Sequence, residues 1–172
     1  MTRKKTTPVF ILNKIQLLIG LLALCLGTIV YLTLRSPDQI YFAKYFGFHK
    51  IVTEIHSQAL ITLGYSLPAF LHVFSFILIT ASFFSYSKKI YVAICTGWFL
   101  VECCFELGQK YKIQAARMLF DFFDKIPFLE TTRNFFLLGT FDIWDIIGFA
   151  LGAIIAFWTL IATSKQYVMK TG

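Results

Sequence analysis

Charge is scarce in this chain, and acidic charge is scarcer still. Charged residues make up 15% of the 172, against about a quarter in soluble domains. Only nine are Asp or Glu, none before Asp38 and none after Asp145. With 58% hydrophobic residues and a mean hydropathy of +0.71, the chain holds more apolar surface than one soluble core of this length can hide. The net charge of +7 comes from sixteen Lys and Arg scattered between apolar blocks. With no basic amphipathic face, nucleic acid is excluded as a partner in favour of the membrane surface.

Other absences narrow the chemistry. The four cysteines show no metal or disulfide spacing: Cys25 and Cys95 lie in apolar runs, and Cys103 and Cys104 are adjacent. There is no HExxH pattern, nucleophile elbow or phosphate-cradling Gly loop, and no internal repeat or low-complexity tract. After Arg3, Lys4 and Lys5 the apolar run is too long for a cleavable signal core and no small-x-small site follows it. In Leu22-Ala23-Leu24-Cys25, bulky Leu24 stands where a lipoprotein signal needs a small residue. The expectation is an uncleaved first helix.

What is present is hydrophobic length. A span needs roughly 20 apolar residues to cross about 30 Å of hydrocarbon, and four stretches qualify, at about 15–34, 67–86, 90–107 and 141–163. The reading is a single all-α membrane domain over 1–172 with four transmembrane helices. Pro68 is expected in the first turn of the second helix. Gly108 is expected to stop the third helix, and Thr140 or Asp142 to cap the fourth. The short segment at 85–89 makes the second and third helices an antiparallel hairpin. The connections at 35–66 and 109–140 mix aromatic and charged residues, as in Tyr41, Phe42, Lys44, Tyr45 and His49, or Ile113, Ala116, Arg117, Phe120 and Phe123. They read as two interfacial segments on the extracytoplasmic side.

Eight of the Lys and Arg residues fall in three short segments: the N-terminus, Lys88-Lys89, and Lys165 with Lys170. The other eight are spread over two long loops. Charge density therefore places both termini in the cytoplasm of a bacterial cell. All acids then fall in the outer loops or the outer halves of helices.

This orientation brings six polar residues to one depth near the outer boundary: His72, Glu102, Glu106, Gln109, Asp142 and Asp145. Glu102 and Glu106 are i,i+4 and Glu106 and Gln109 are i,i+3, so the three form one stripe. Asp142 and Asp145 also suit the first turn of a helix, where the dipole favours acids. Glu106 sits at the opposite, unfavourable pole. A carboxylate at mid-bilayer costs about 2.5–3.5 kcal/mol on the insertion scale, so such residues face the bundle or water. Gathered acids need a counterweight, for which a divalent cation, Arg117, Arg133, His72 or protonation all qualify.

At these residues the chain resembles the VanZ-like family of small bacterial membrane proteins. The matching pieces are His72 in Pro68-Ala69-Phe70-Leu71-His72-Val73-Phe74, Glu106-Leu107-Gly108-Gln109, and Phe141-Asp142-Ile143-Trp144-Asp145 followed by Gly152. The chain differs at Pro68, Thr140 and Phe149, where the family has Asp, Arg and Asn. The resemblance implies a cell-envelope protein, linked in some members to tolerance of glycopeptide antibiotics, and the first reading is that its outer acidic pocket binds a polar or cationic group, of a lipid-linked precursor or an envelope-directed compound. The composition leaves two alternatives: a metal- or acid/base-dependent enzyme acting on a lipid-linked substrate, and an oligomeric transporter or proton path. Membrane lipids are the expected partners, and a homo-oligomer is compatible with all three readings.

Overall fold

A computed structural model describes residues 12–34, 58–84, 86–115, 117, 136 and 139–171, without the side chains of 58–63, 65 and 165–171. Four long helices organise it: α1 (Lys14–Leu34), α2 (Gln58–Ala81), α3 (Lys88–Lys110) and α4 (Ile143–Thr171). There is no strand among the described residues. Three stretches, Lys14–Thr33, Lys88–Lys110 and Ile143–Ser164, are long and apolar enough to cross a membrane. The apolar part of α2 is shorter, Ser66–Ala81, or about 24 Å at 1.5 Å per residue.

Asn13 sets the start of α1. Its Oδ1 accepts from the amides of Ile15 (3.2 Å) and Gln16 (3.3 Å), which would otherwise be orphan donors of the first turn. Its own N–H donates to the Ser82 carbonyl at 2.7 Å, tying this end of α1 to the end of α2.

Helix α2 is the centre of the bundle and packs against the other three, most extensively against α1 and α4. It supplies five of the buried core hydrophobes: Val73, Phe74, Ile77, Leu78 and Ala81. Glycines let the backbones approach. A Cβ on Gly20 would lie 2.8 Å from Ile79 Cγ1, and one on Gly27 3.2 Å from Leu71 Cβ, so α1 runs antiparallel to α2. On α4, Gly148 and Gly152 form a small-xxx-small pair, the arrangement that seats membrane helices closely. A Cβ on Gly152 would lie 2.7 Å from the Phe70 carbonyl oxygen, and one on Gly148 3.3 Å from that of Ser66. These contacts ascend both helices together, so α2 and α4 are parallel.

The surface is apolar and part of the interior polar, the reverse of a soluble bundle. Leu18, Leu22, Leu26, Ile154 and Trp158 are exposed, whereas Gln16, Ser75 and Ser82 are fully buried. That distribution suits lipid as solvent.

Several expectations change. Pro68 lies inside α2, not in its first turn, because the helix starts at Gln58 and ends at Ala81. Gly108 does not stop α3, which runs on to Lys110 with Tyr111 as its C-cap. Its missing side chain instead makes room for Phe136, whose Cε1 would be 2.5 Å from a Cβ there. Of the two candidate caps for α4, Asp142 serves: its Oδ1 accepts from Trp144 N at 2.9 Å. α4 also extends past 163 to Thr171. The expected interfacial segments lie largely outside the described residues, including Tyr41, Phe42, Lys44, Tyr45, His49, Ala116, Phe120 and Phe123.

Candidate functional site

The six polar residues do not share one depth: His72 lies mid-way along α2, level with Gly152 of α4, whereas Asp142 stands at that helix's start, and four of the six meet across α2, α3 and α4. These four form two adjoining pairs. In the first, α2 brings His72 and α3 brings Glu102, with Nδ1 and Oε1 3.9 Å apart. That separation is too long for a hydrogen bond and short enough for charge to be felt. The His72 side chain is 46% exposed and that of Glu102 only 12%, so the imidazole is the accessible partner. His72 rests against Phe76 (centroids 4.4 Å), which stacks on Trp98 at 4.8 Å. The Trp98 indole N–H donates to Thr80 Oγ1 at 3.0 Å. An aromatic ladder bridging α2 and α3 thus holds the imidazole in place.

In the second pair, Glu106 is buried and its Oε1 accepts the backbone N–H of Asp142 at 2.5 Å. Asp142 is the N-cap of α4, so the carboxylate stands at that helix's positive pole. This explains an acid at the unfavourable end of its own helix: it answers to the dipole of its neighbour. Asp145 lies in the first turn of α4, its N–H directed at the Asp142 carbonyl at 3.2 Å. Gln109 is half-buried one turn beyond Glu106. The i,i+4 stripe of Glu102 and Glu106 joins the two pairs.

A cation lies close by, and it is none of the residues named from sequence. Lys110 Nζ sits 4.9 Å from the centroid of Phe141, the residue before Asp142. Arg117 is exposed and Arg133 lies outside the described residues. Among the described residues, no three His, Cys, Asp or Glu side chains are grouped so as to hold a metal ion. The arrangement offers an accessible imidazole with a largely buried carboxylate behind it, beside aromatic rings, and a second carboxylate engaged by backbone.

The Asn13 end of the bundle carries a polar cluster that the sequence reading passed over. Gln16, fully buried, reaches from α1 to Tyr91 on α3 and to Thr163 and Ser164 on α4. The sequence signal was weak, because Gln, Tyr, Thr and Ser carry no charge and are tolerated within apolar runs. Only their common depth at one end of the bundle pointed to it.

Comparison of the chain with protein-family models, curated proteins and solved structures finds no match.

Proposed function

We propose that this chain is a VanZ-like, four-span envelope membrane protein that binds the cationic headgroup of a membrane amphiphile through His72 and Glu102. The observation that carries the reading is the half-exposed His72 standing 3.9 Å from Glu102 on an otherwise apolar surface. Ionisable groups are rare at such depth and mark sites of function when they occur. A half-exposed side chain mid-way along α2 faces lipid, which favours a ligand already in the bilayer. Trp98 and Phe76 extend the pair with π faces that attract ammonium groups.

The full length of α2, 24 residues, supports a fourth span of about 36 Å at 1.5 Å per residue. Alternating helix directions and the density of Lys and Arg support cytoplasmic termini. In a cysteine-free background, Ser87→Cys is expected to resist a membrane-impermeant maleimide added to intact cells and to react after lysis. Labelling from outside would reverse the orientation.

Binding is tested in phosphatidylcholine nanodiscs with dodecylamine as probe, reading Trp98 fluorescence in a Trp144→Phe/Trp158→Phe background. A saturable quench is expected. Glu102→Gln should weaken it by about tenfold, or about 1.4 kcal/mol, with dodecyl phosphate inactive throughout. Equal quenching in the variant, or no saturation, would sink the proposal.

A further inference from the structure

The polar cluster at the Gln16 end has a hydrogen-bond deficit that can be counted. Gln16 Nε2 lies 3.0 Å from Thr163 Oγ1, 3.1 Å from Ser164 Oγ, 3.3 Å from the Tyr91 hydroxyl and 3.5 Å from the Leu160 carbonyl. The Leu160 carbonyl can only accept. Thr163 already donates its hydroxyl hydrogen to the Thr159 carbonyl at 2.8 Å, so toward Gln16 it too can only accept. These acceptors orient the amide with its nitrogen toward the group and leave Oε1 pointing away. Oε1 is buried, and no donor reaches it among the described residues.

The hydroxyls complete the count. Tyr91 and Ser164 share one bond of 2.7 Å, and either can donate. That bond uses one of their two hydrogens. The other has no acceptor in the group, since Gln16 Nε2 is itself a donor. Among the described residues, one acceptor and one hydroxyl hydrogen are therefore unmatched, both on groups that meet at a single amide.

A buried carbonyl without a donor is costly, and a lipid-embedded bundle has no bulk solvent to relieve it. A guest must accept one hydrogen and donate another to satisfy both. An anion brings no hydrogen for Oε1, a metal ion cannot accept the hydroxyl hydrogen, and an apolar molecule answers neither need.

We infer that this cluster is a binding site for a single water molecule, which accepts from Tyr91 or Ser164 and donates to Gln16 Oε1. Such a water adds a second link from α1 to α3 or α4 beside the direct bonds of the Gln16 amide nitrogen. Internal waters usually make about three hydrogen bonds, and two are assigned here.

The test is a crystal structure of the full chain grown from lipid, with parallel structures of Ser164→Ala and Gln16→Met. The expected result is a density peak at about 2.6–3.2 Å from Oε1 and from one of the two hydroxyls. In Ser164→Ala the peak should remain, because the Tyr91 hydrogen is then released toward the water. In Gln16→Met it should be lost, with the bundle otherwise unchanged. The inference fails if Oε1 accepts from a protein group, if no peak appears in a map that shows other ordered waters, or if the peak survives Gln16→Met. The wild-type and Ser164→Ala structures decide the matter even if Gln16→Met does not fold.

Discussion

Gly152→Val is expected to lower the stability of the bundle by about 3 kcal/mol, the upper range for overpacking a close contact. The cause is local and unforgiving. A Cβ at this position already lies 2.7 Å from the Phe70 carbonyl oxygen and 3.4 Å from the Phe74 nitrogen, which are main-chain atoms of α2. A side-chain tip can rotate away, but a helix backbone cannot, so α4 must move off α2 as a whole. The core around Phe74, Phe149 and Ala156 opens with it. Gly97→Val provides the control, because a Cβ at Gly97 meets nothing within 4 Å; its effect should stay within about 0.5 kcal/mol. Thermal unfolding in one detergent, with size-exclusion profiles, checks both. Equal melting points for the two variants would show that the close approach of α2 and α4 contributes nothing.

Glu106→Ala is expected to cost about 2 kcal/mol, the size of a lost charge-assisted hydrogen bond. The carboxylate accepts the Asp142 N–H and faces the start of α4, so its removal should fray that helix's first turn. Glu106→Gln retains an oxygen acceptor and should lose less than about 1 kcal/mol, the dipole share of the interaction. Melting temperature orders the three proteins as wild type, Gln, then Ala. Hydrogen exchange at residues 143–146 should rise most in the Ala variant. An unchanged melt for Glu106→Ala would show that the contact is not holding α4. A purely ligand-binding Glu106 would instead leave stability alone and weaken dodecylamine binding, which separates the two roles.

Parts of this architecture are visible in the residues before any fold is considered. Hydrophobic length located all four helices, and α1 begins within one residue of the expected start because the apolar run itself begins there. Ends set by contacts were not visible. Pro68 looked like a first-turn residue since apolar hydropathy rises only at Leu67, yet α2 starts at Gln58. Gly108 looked like a stop, because a glycine after an apolar run usually ends a helix; its role is to admit the ring of Phe136.

The candidate site was partly legible for the same reason. Acids and a histidine inside apolar helices stand out, so they could be singled out as candidates, and the Glu102–Glu106 stripe follows from helical spacing alone. Their partners did not stand out. The pairing of His72 with Glu102, and of Glu106 with a backbone N–H of α4, depends on how α3 is rotated between α2 and α4. The Gln16 cluster escaped notice because its members are separated by up to 148 positions and carry no charge.

Sequence by itself determined the apolar solvent and the helical class, since these are sums along one segment and follow from its own length and composition. Tertiary structure alone decided the neighbours: Gly152 against the Phe70 carbonyl, Glu106 at the cap of α4, and Gln16 between Tyr91 and Ser164. A contact is fixed by two helices at once, through their rotation and crossing, and those are set by which small residues permit backbones to touch.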